Sequence, residues 1–135
     1  MGGSQKVFVV DDEPMVLTAL ERLLRSAGHD VATFDTPRGF LAFAESAPAG
    51  CAIVDMSMPE LSGLDLIGAL RASGCLLPLI VITGRRDVAD SVKAMKAGAV
   101  DFLSKPVDPD ALLAAVERGL ARDAEGRDAA REHHG

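Results

Sequence analysis

A chain of 135 residues, nearly half of them apolar and a quarter charged, suits one folded domain with its own core; a second would leave each half marginal. Its formal net charge of −6 disfavours binding of nucleic acid by this segment, since phosphate backbones repel an acidic domain, and it lacks a membrane binder's basic amphipathic face. No apolar run reaches the length of a membrane span, and MGGSQK lacks a signal peptide's apolar region, so a cytoplasmic setting is expected.

In chain order, VFVV (Val7 to Val10) predicts a strand buried on both faces. Val16, Leu17, Leu20, Leu23 and Leu24 recur at helical spacing, with Gly28 as a stop. Asp30 to Phe34 alternates as an edge strand would. Thr36 as N-cap and Pro37 at the first helical position open a second helix with Phe40, Leu41 and Phe43 on one face. Cys51 to Asp55 is a third strand, followed by a loop with Pro59 and Gly63 and a helix through LDLIGALRAS. Leu77 to Thr83 is the fourth and most apolar strand, DVADSVKAMKAG a weaker helix ended by Gly98, and Val100 to Ser104 the fifth strand. Asp108 caps the last helix, with Pro109 behind it. The domain is expected over residues 1–122. Residues 123–135, charged and without a wide apolar stripe, read as a frayed helix extension or the start of a linker. His133 and His134 belong to that end and are not expected to bind metal. Cys51 and Cys75 lack CxxC spacing and are expected as small residues in or near a core.

Alternating strands and helices of this length predict an α/β fold: a flavodoxin-like, doubly wound parallel sheet of five strands with five helices, joined by right-handed crossovers. The expected strand order is 2-1-3-4-5, which places strands one and three on either side of the switch point. Ligands bind there, outside the carboxyl ends of the strands.

Each notable polar residue sits at such an end. Asp11 and Asp12 follow strand one, Asp55 ends strand three, Thr83 ends strand four and Lys105 follows strand five. Three converging carboxylates repel, and a hard divalent cation with oxygen ligands relieves that repulsion. Mg²⁺ suits an open site, because it keeps several waters and takes one or two carboxylates plus a phosphate oxygen. Asp55 can also act as a nucleophile and form an acyl phosphate, with Lys105 and Thr83 meeting the added charge. Taken singly, each residue has a plainer reading: Asp11 or Asp12 as a helix cap, Asp55 in a loop, Thr83 at a strand end, Lys105 in solvent, Phe102 in the core.

VVDDEP, IVDMSMPELSGLDL, PLIVITG and AGAVDFLSKP together resemble the signature segments of response-regulator receiver domains of two-component signalling, over roughly Lys6 to Arg122. AGAVDFLSKP and MPELSG look most like receivers of the FixJ/NarL type, whose output is usually a DNA-binding domain. The resemblance implies that Asp55 is the phosphoacceptor, served by a sensor histidine kinase. It implies Mg²⁺ on Asp12, Asp55 and the Ser57 carbonyl, with Asp11 acting through water. Lys105 would pair with the phosphoryl group and precede a cis peptide, and Thr83 and Phe102 would form the switch. Signalling would pass through the helix 4/strand 5 face, roughly residues 88–104, with a phosphorylation-dependent homodimer there and DNA reached only through an output domain. A stand-alone receiver acting by protein contact is the alternative.

The chain is expected to modify itself weakly rather than turn over as an enzyme. An aspartyl-phosphate hydrolase wants a second acid two residues after its nucleophile, where this chain has Ser57. A flavodoxin-like cofactor binder would want a Gly/Ser/Thr-rich phosphate loop in place of DDEPM, and no P-loop is present. Ser57 and Arg85 flank the path of attacking water in the family, so Ser57 is expected to leave access open and Arg85 to slow phosphoryl loss. An unchanged phosphoaspartate lifetime in Arg85→Ala would sink that expectation.

Overall fold

Val7, Phe8, Val9 and Val10 pack well in extended backbone and poorly on a helix, and they open the sheet as most of β1 (Lys6–Val10). The computed structural model describes residues 5–46, 48–84 and 88–134. Strands and helices alternate throughout: α1 (Pro14–Ser26), β2 (Val31–Phe34), α2 (Pro37–Ala44), β3 (Gly50–Asp55), α3 (Gly63–Ala72), β4 (Leu79–Thr83), α4 (Val88–Lys96), β5 (Asp101–Ser104) and α5 (Pro109–His134). All five strands are parallel, in the order β2-β1-β3-β4-β5, as the alternation predicts. The register runs Val7 opposite Val31 and Cys51, Asp55 opposite Ile82, and Thr83 opposite Ser104.

Successive side chains leave a strand on opposite faces, and the two faces build two separate cores. Phe8, Val10, Ala52, Val54, Leu79 and Val81 pack under α2 and α3 with Phe40, Leu66, Ile67 and Leu70. Val7, Val9, Cys51, Ile53, Ile80 and Ile82 pack under α1 and α5 with Leu17, Leu20, Leu24, Leu112 and Val116. Burying each such Val, Leu, Ile or Phe side chain contributes roughly 1.5–3 kcal/mol. Phe8, Phe34, Phe40 and Phe43 form an aromatic cluster with ring centroids 5.2–6.4 Å apart, Phe43 lying at its rim.

Local caps match the sequence reading. The Thr36 hydroxyl accepts from Gly39 N (3.1 Å), and Asp108 accepts from Ala111 N (2.9 Å). β4 starts at Leu79, two residues later than expected. Pro78 has no N–H to give a ladder, although its carbonyl accepts from Ala52 N (2.9 Å). The boundary expected after Arg122 falls inside α5, which runs on to His134. Cys51 is buried, Cys75 is half-buried, and both are free. Among the described residues, no helix is long and apolar enough to cross a membrane.

Candidate functional site

The carboxyl edge of the sheet gathers the polar residues at the ends of β1, β3, β4 and β5. β1 breaks at Asp11, whose N–H still donates to Phe34 O on β2 (3.1 Å). Its Oδ1 accepts from Glu13 N (2.9 Å), an Asx turn that feeds the chain into α1 at Pro14. Asp11 is thereby turned inward and buried, while Asp12 stays exposed. Neither aspartate caps α1, because the capping position is Glu13 and its side chain makes no capping bond.

Asp55 is the last residue of β3 and only 2% exposed. Beyond it, Met56 N donates to Ile82 O (2.9 Å) and Ser57 N to Asp55 Oδ1 (3.3 Å). The loop then folds back so tightly that Gly63 N reaches Met56 O (3.0 Å), and a Cβ at Gly63 would lie 2.9 Å from Met56 Cα. Only glycine fits there without moving the backbone beside Asp55. Lys105 is placed by its own N–H, which donates to Thr83 O (2.9 Å), and the Lys105–Pro106 peptide is cis. Its ammonium lies 3.4 Å from Asp55 Oδ1. Thr83 is buried at the end of β4, beside Ser104.

Carboxylate oxygens of Asp11, Asp12 and Asp55 all lie within 4.8 Å of one another. Asp11 Oδ2 is buried without a hydrogen-bond partner. Burial pushes the Asp11 carboxyl up to about 6, and the neighbouring Asp55 and Asp12 charges add to the rise, against the Glu13 N–H and Lys105. Burial also raises Asp55, opposed by the Ser57 N–H and the Lys105 ammonium. Three acids facing one ammonium, with an orphaned buried oxygen among them, are a donor set suited to a hard divalent cation, and Mg²⁺ fits it.

A raised carboxyl is a cost of folding that grows with pH. Asp11 binds more protons folded than unfolded between its ordinary 3.8 and about 6, so metal-free protein loses stability as pH rises through that window. Asp11→Asn removes this cost. Without metal its stability should exceed the parent's by on the order of 1–3 kcal/mol at pH 7, with the gap closing towards pH 4. Urea melts in EDTA at the two pH values measure it, and a pH-independent gap refutes it.

The structure thus brings Asp11, Asp12, Asp55, Thr83 and Lys105 to one edge, with Ser57 exposed on the loop after Asp55. Phe102 is 38% exposed on edge strand β5, so the reading of it as a core residue does not hold. Val92 and Met95 on α4 are likewise exposed, giving the α4/β5 side an apolar surface. Arg85 and Arg86 lie outside the described residues. The close approach at Gly63 escaped the sequence reading, which saw only a loop glycine. Its signal was the spacing of Gly63 from Asp55 in DMSMPELSG.

A family model described as response regulator receiver domain matches residues 7–117. The chain is 42% identical over 114 residues to the response regulator protein TodT of Pseudomonas putida, covering 84% of this chain and 50% of that one. It is also 42% identical over 125 residues to the transcriptional regulatory protein FixJ of Azorhizobium caulinodans, covering 93% and 59%. Among solved structures, FixJ-N superimposes with a TM-score of 0.84 at 39% identity, covering 88% of this chain and 95% of that one. The response regulator StyR gives 0.92 at 43%, covering 98% and 67%. The chain spans about half the length of the curated relatives it matches.

Proposed function

The chain belongs to the response regulator receiver domain family, and we propose that it accepts a phosphoryl group on Asp55 from the phosphohistidine of a sensor kinase. A carboxylate oxygen of Asp55 bonds to phosphorus as the phosphorus–nitrogen bond breaks. The imidazole leaves with that electron pair and takes up a proton. The observation that carries this reading is the buried Asp55 carboxylate 3.4 Å from the Lys105 ammonium, with two more carboxylates within 4.8 Å.

Phosphoryl transfer needs positioning and positive charge around the equatorial oxygens more than covalent help. Lys105, whose ammonium lies 3.4 Å from Asp55 Oδ1, would offset that charge, and the Thr83 hydroxyl would donate to a phosphoryl oxygen. The carboxylates of Asp11, Asp12 and Asp55, with the Ser57 carbonyl, would hold Mg²⁺, Asp11 through water; when bound it neutralises charge on the phosphoryl oxygens. Movement of Thr83 towards the new group, with Phe102 reorienting on β5, would bias the α4/β5 surface between two states. The exposed Val92, Met95 and Phe102 support a phosphorylation-dependent homodimer through that surface. FixJ is named a transcriptional regulator, which supports an output in transcription, reached through a DNA-binding domain beyond this segment, in the cytoplasm. The chain is a phosphoacceptor rather than a turnover enzyme, since Ser57 stands where a hydrolase needs an acid.

Incubation with Mg²⁺ and acetyl phosphate should give a stoichiometric, hydroxylamine-labile mass gain on Asp55. Sustained release of phosphate from varied monoesters, without a matching protein adduct, would overturn the reading in favour of a hydrolase.

A further inference from the structure

The end of the fold opposite Asp55 holds a second polar cluster that phosphoryl chemistry does not use. Asp123 lies in α5, where residues 121–127 are exposed on either side of it, yet it is only 8% exposed. Its Oδ2 accepts from Gly50 N at the start of β3 (3.0 Å) and from Gln5 Nε2 just before β1 (3.1 Å). Arg127, one turn on, donates through Nε to both Asp123 oxygens (3.2 and 3.1 Å) and through Nη2 to Pro48 O (2.6 Å). Gln5 Nε2 also donates to Leu120 O (2.8 Å). One carboxylate thus ties α5 to the amino ends of two central strands.

Two further features fix this seat. Gly50 has φ +142°, and a Cβ there would lie 1.8 Å from Lys6 O, so β1 and β3 approach where only glycine fits. One turn before Asp123, a Cβ at Gly119 would lie 3.0 Å from Cys51 Cβ, so α5 rests directly on β3. β3 has 6 residues and spans about 20 Å, whereas the 26 residues of α5 span about 39 Å. The helix therefore outruns the sheet, and Asp123 and Arg127 grip it near where it passes the edge.

We propose that Asp123 is a positioning residue that fixes the direction in which α5 leaves the domain. The rigid body then extends to at least Arg127, past the boundary the composition suggests. A segment following α5 inherits that direction from β1 and β3 instead of swinging on a linker. Removing the carboxylate leaves the buried Gly50 N–H without its acceptor and takes from Arg127 its carboxylate partner, so the last turns lose their main tether while the core layers of α5 above stay packed.

Spin labels at Thr18→Cys and Ala130→Cys, in a Cys75→Ser background with buried Cys51 left unlabelled, report the direction of α5. A control pair at Thr18→Cys and Ala72→Cys reports the core. The parent should give a narrow Thr18–Ala130 distance distribution. Asp123→Ala should broaden it at least about twofold and speed hydrogen exchange at Gly50 and beyond residue 122 about tenfold, with the control pair unmoved. Arg127→Ala, at a partly exposed side chain that the core does not need, should broaden it less and decides the matter if Asp123→Ala fails to fold. Parent-like distributions in the folded variants would overturn the proposal, as would an equally broad distribution in the parent itself.

Discussion

Asp55→Asn is expected to reduce acyl-phosphate formation from acetyl phosphate to background, a loss of about 10³-fold or more, because it removes the attacking oxygen itself. The substitution is nearly isosteric. The amide oxygen can still accept from Ser57 N, which lies 3.3 Å from Asp55 Oδ1, and the shape of the β3 end is kept. Folding should not suffer either. Burial already raises the Asp55 carboxyl, so a neutral group there relieves a cost, although the 3.4 Å pairing with Lys105 is given up. The variant is therefore expected at parental or higher stability in metal-free buffer with no adduct, which separates lost chemistry from lost structure. Intact-mass measurement after incubation with Mg²⁺ and donor reads the first, and a thermal melt the second. A full-strength adduct in the variant would place the nucleophile elsewhere, with Asp11 and Asp12 the nearest carboxylates.

Mg²⁺ affinity should fall about 10- to 100-fold in Asp12→Ala, equivalent to about 1.4–2.7 kcal/mol of binding. Asp12 is the informative partner because it is exposed, whereas Asp11 is buried and holds the turn into α1 through Glu13 N. Removing one of three negative charges within 4.8 Å of each other weakens attraction for a divalent ion far more than it disturbs packing. Amide shifts of Ser57 and of the residues after β1, followed as Mg²⁺ is added, give the dissociation constant. EDTA should abolish phosphoryl acceptance in the parent. Parental affinity in Asp12→Ala would remove that carboxylate from the cation's donor set.

Much of the fold was legible because its determinants are local. Unbroken apolar runs mark strands buried on both faces, the helical spacing of Leu17, Leu20 and Leu24 marks the face of α1 that is buried, and Thr36 and Asp108 cap helices within three residues of themselves. The candidate site was legible for a related reason. In a parallel sheet every strand carboxyl end falls on the same edge, so polar residues after apolar runs must meet there. The plainer reading of Phe102, as a core side chain, fails because β5 is an edge strand with every second side chain more exposed, and which strand lies at the edge depends on the order of the whole sheet.

The amino-acid sequence by itself determined the alternation of elements, the five strand-end residues and the sheet that collects them, since periodicity, capping and strand-end chemistry act over a few residues. Only the tertiary structure decided that Asp11 is buried and Asp12 is not, that Lys105 reaches Asp55 across fifty positions, and that α5 continues past Arg122. Those outcomes rest on partners distant in the chain, as when Asp123 accepts from Gly50 across 73 residues, and no local pattern marks a hydrogen bond whose two ends are brought together only by the finished sheet.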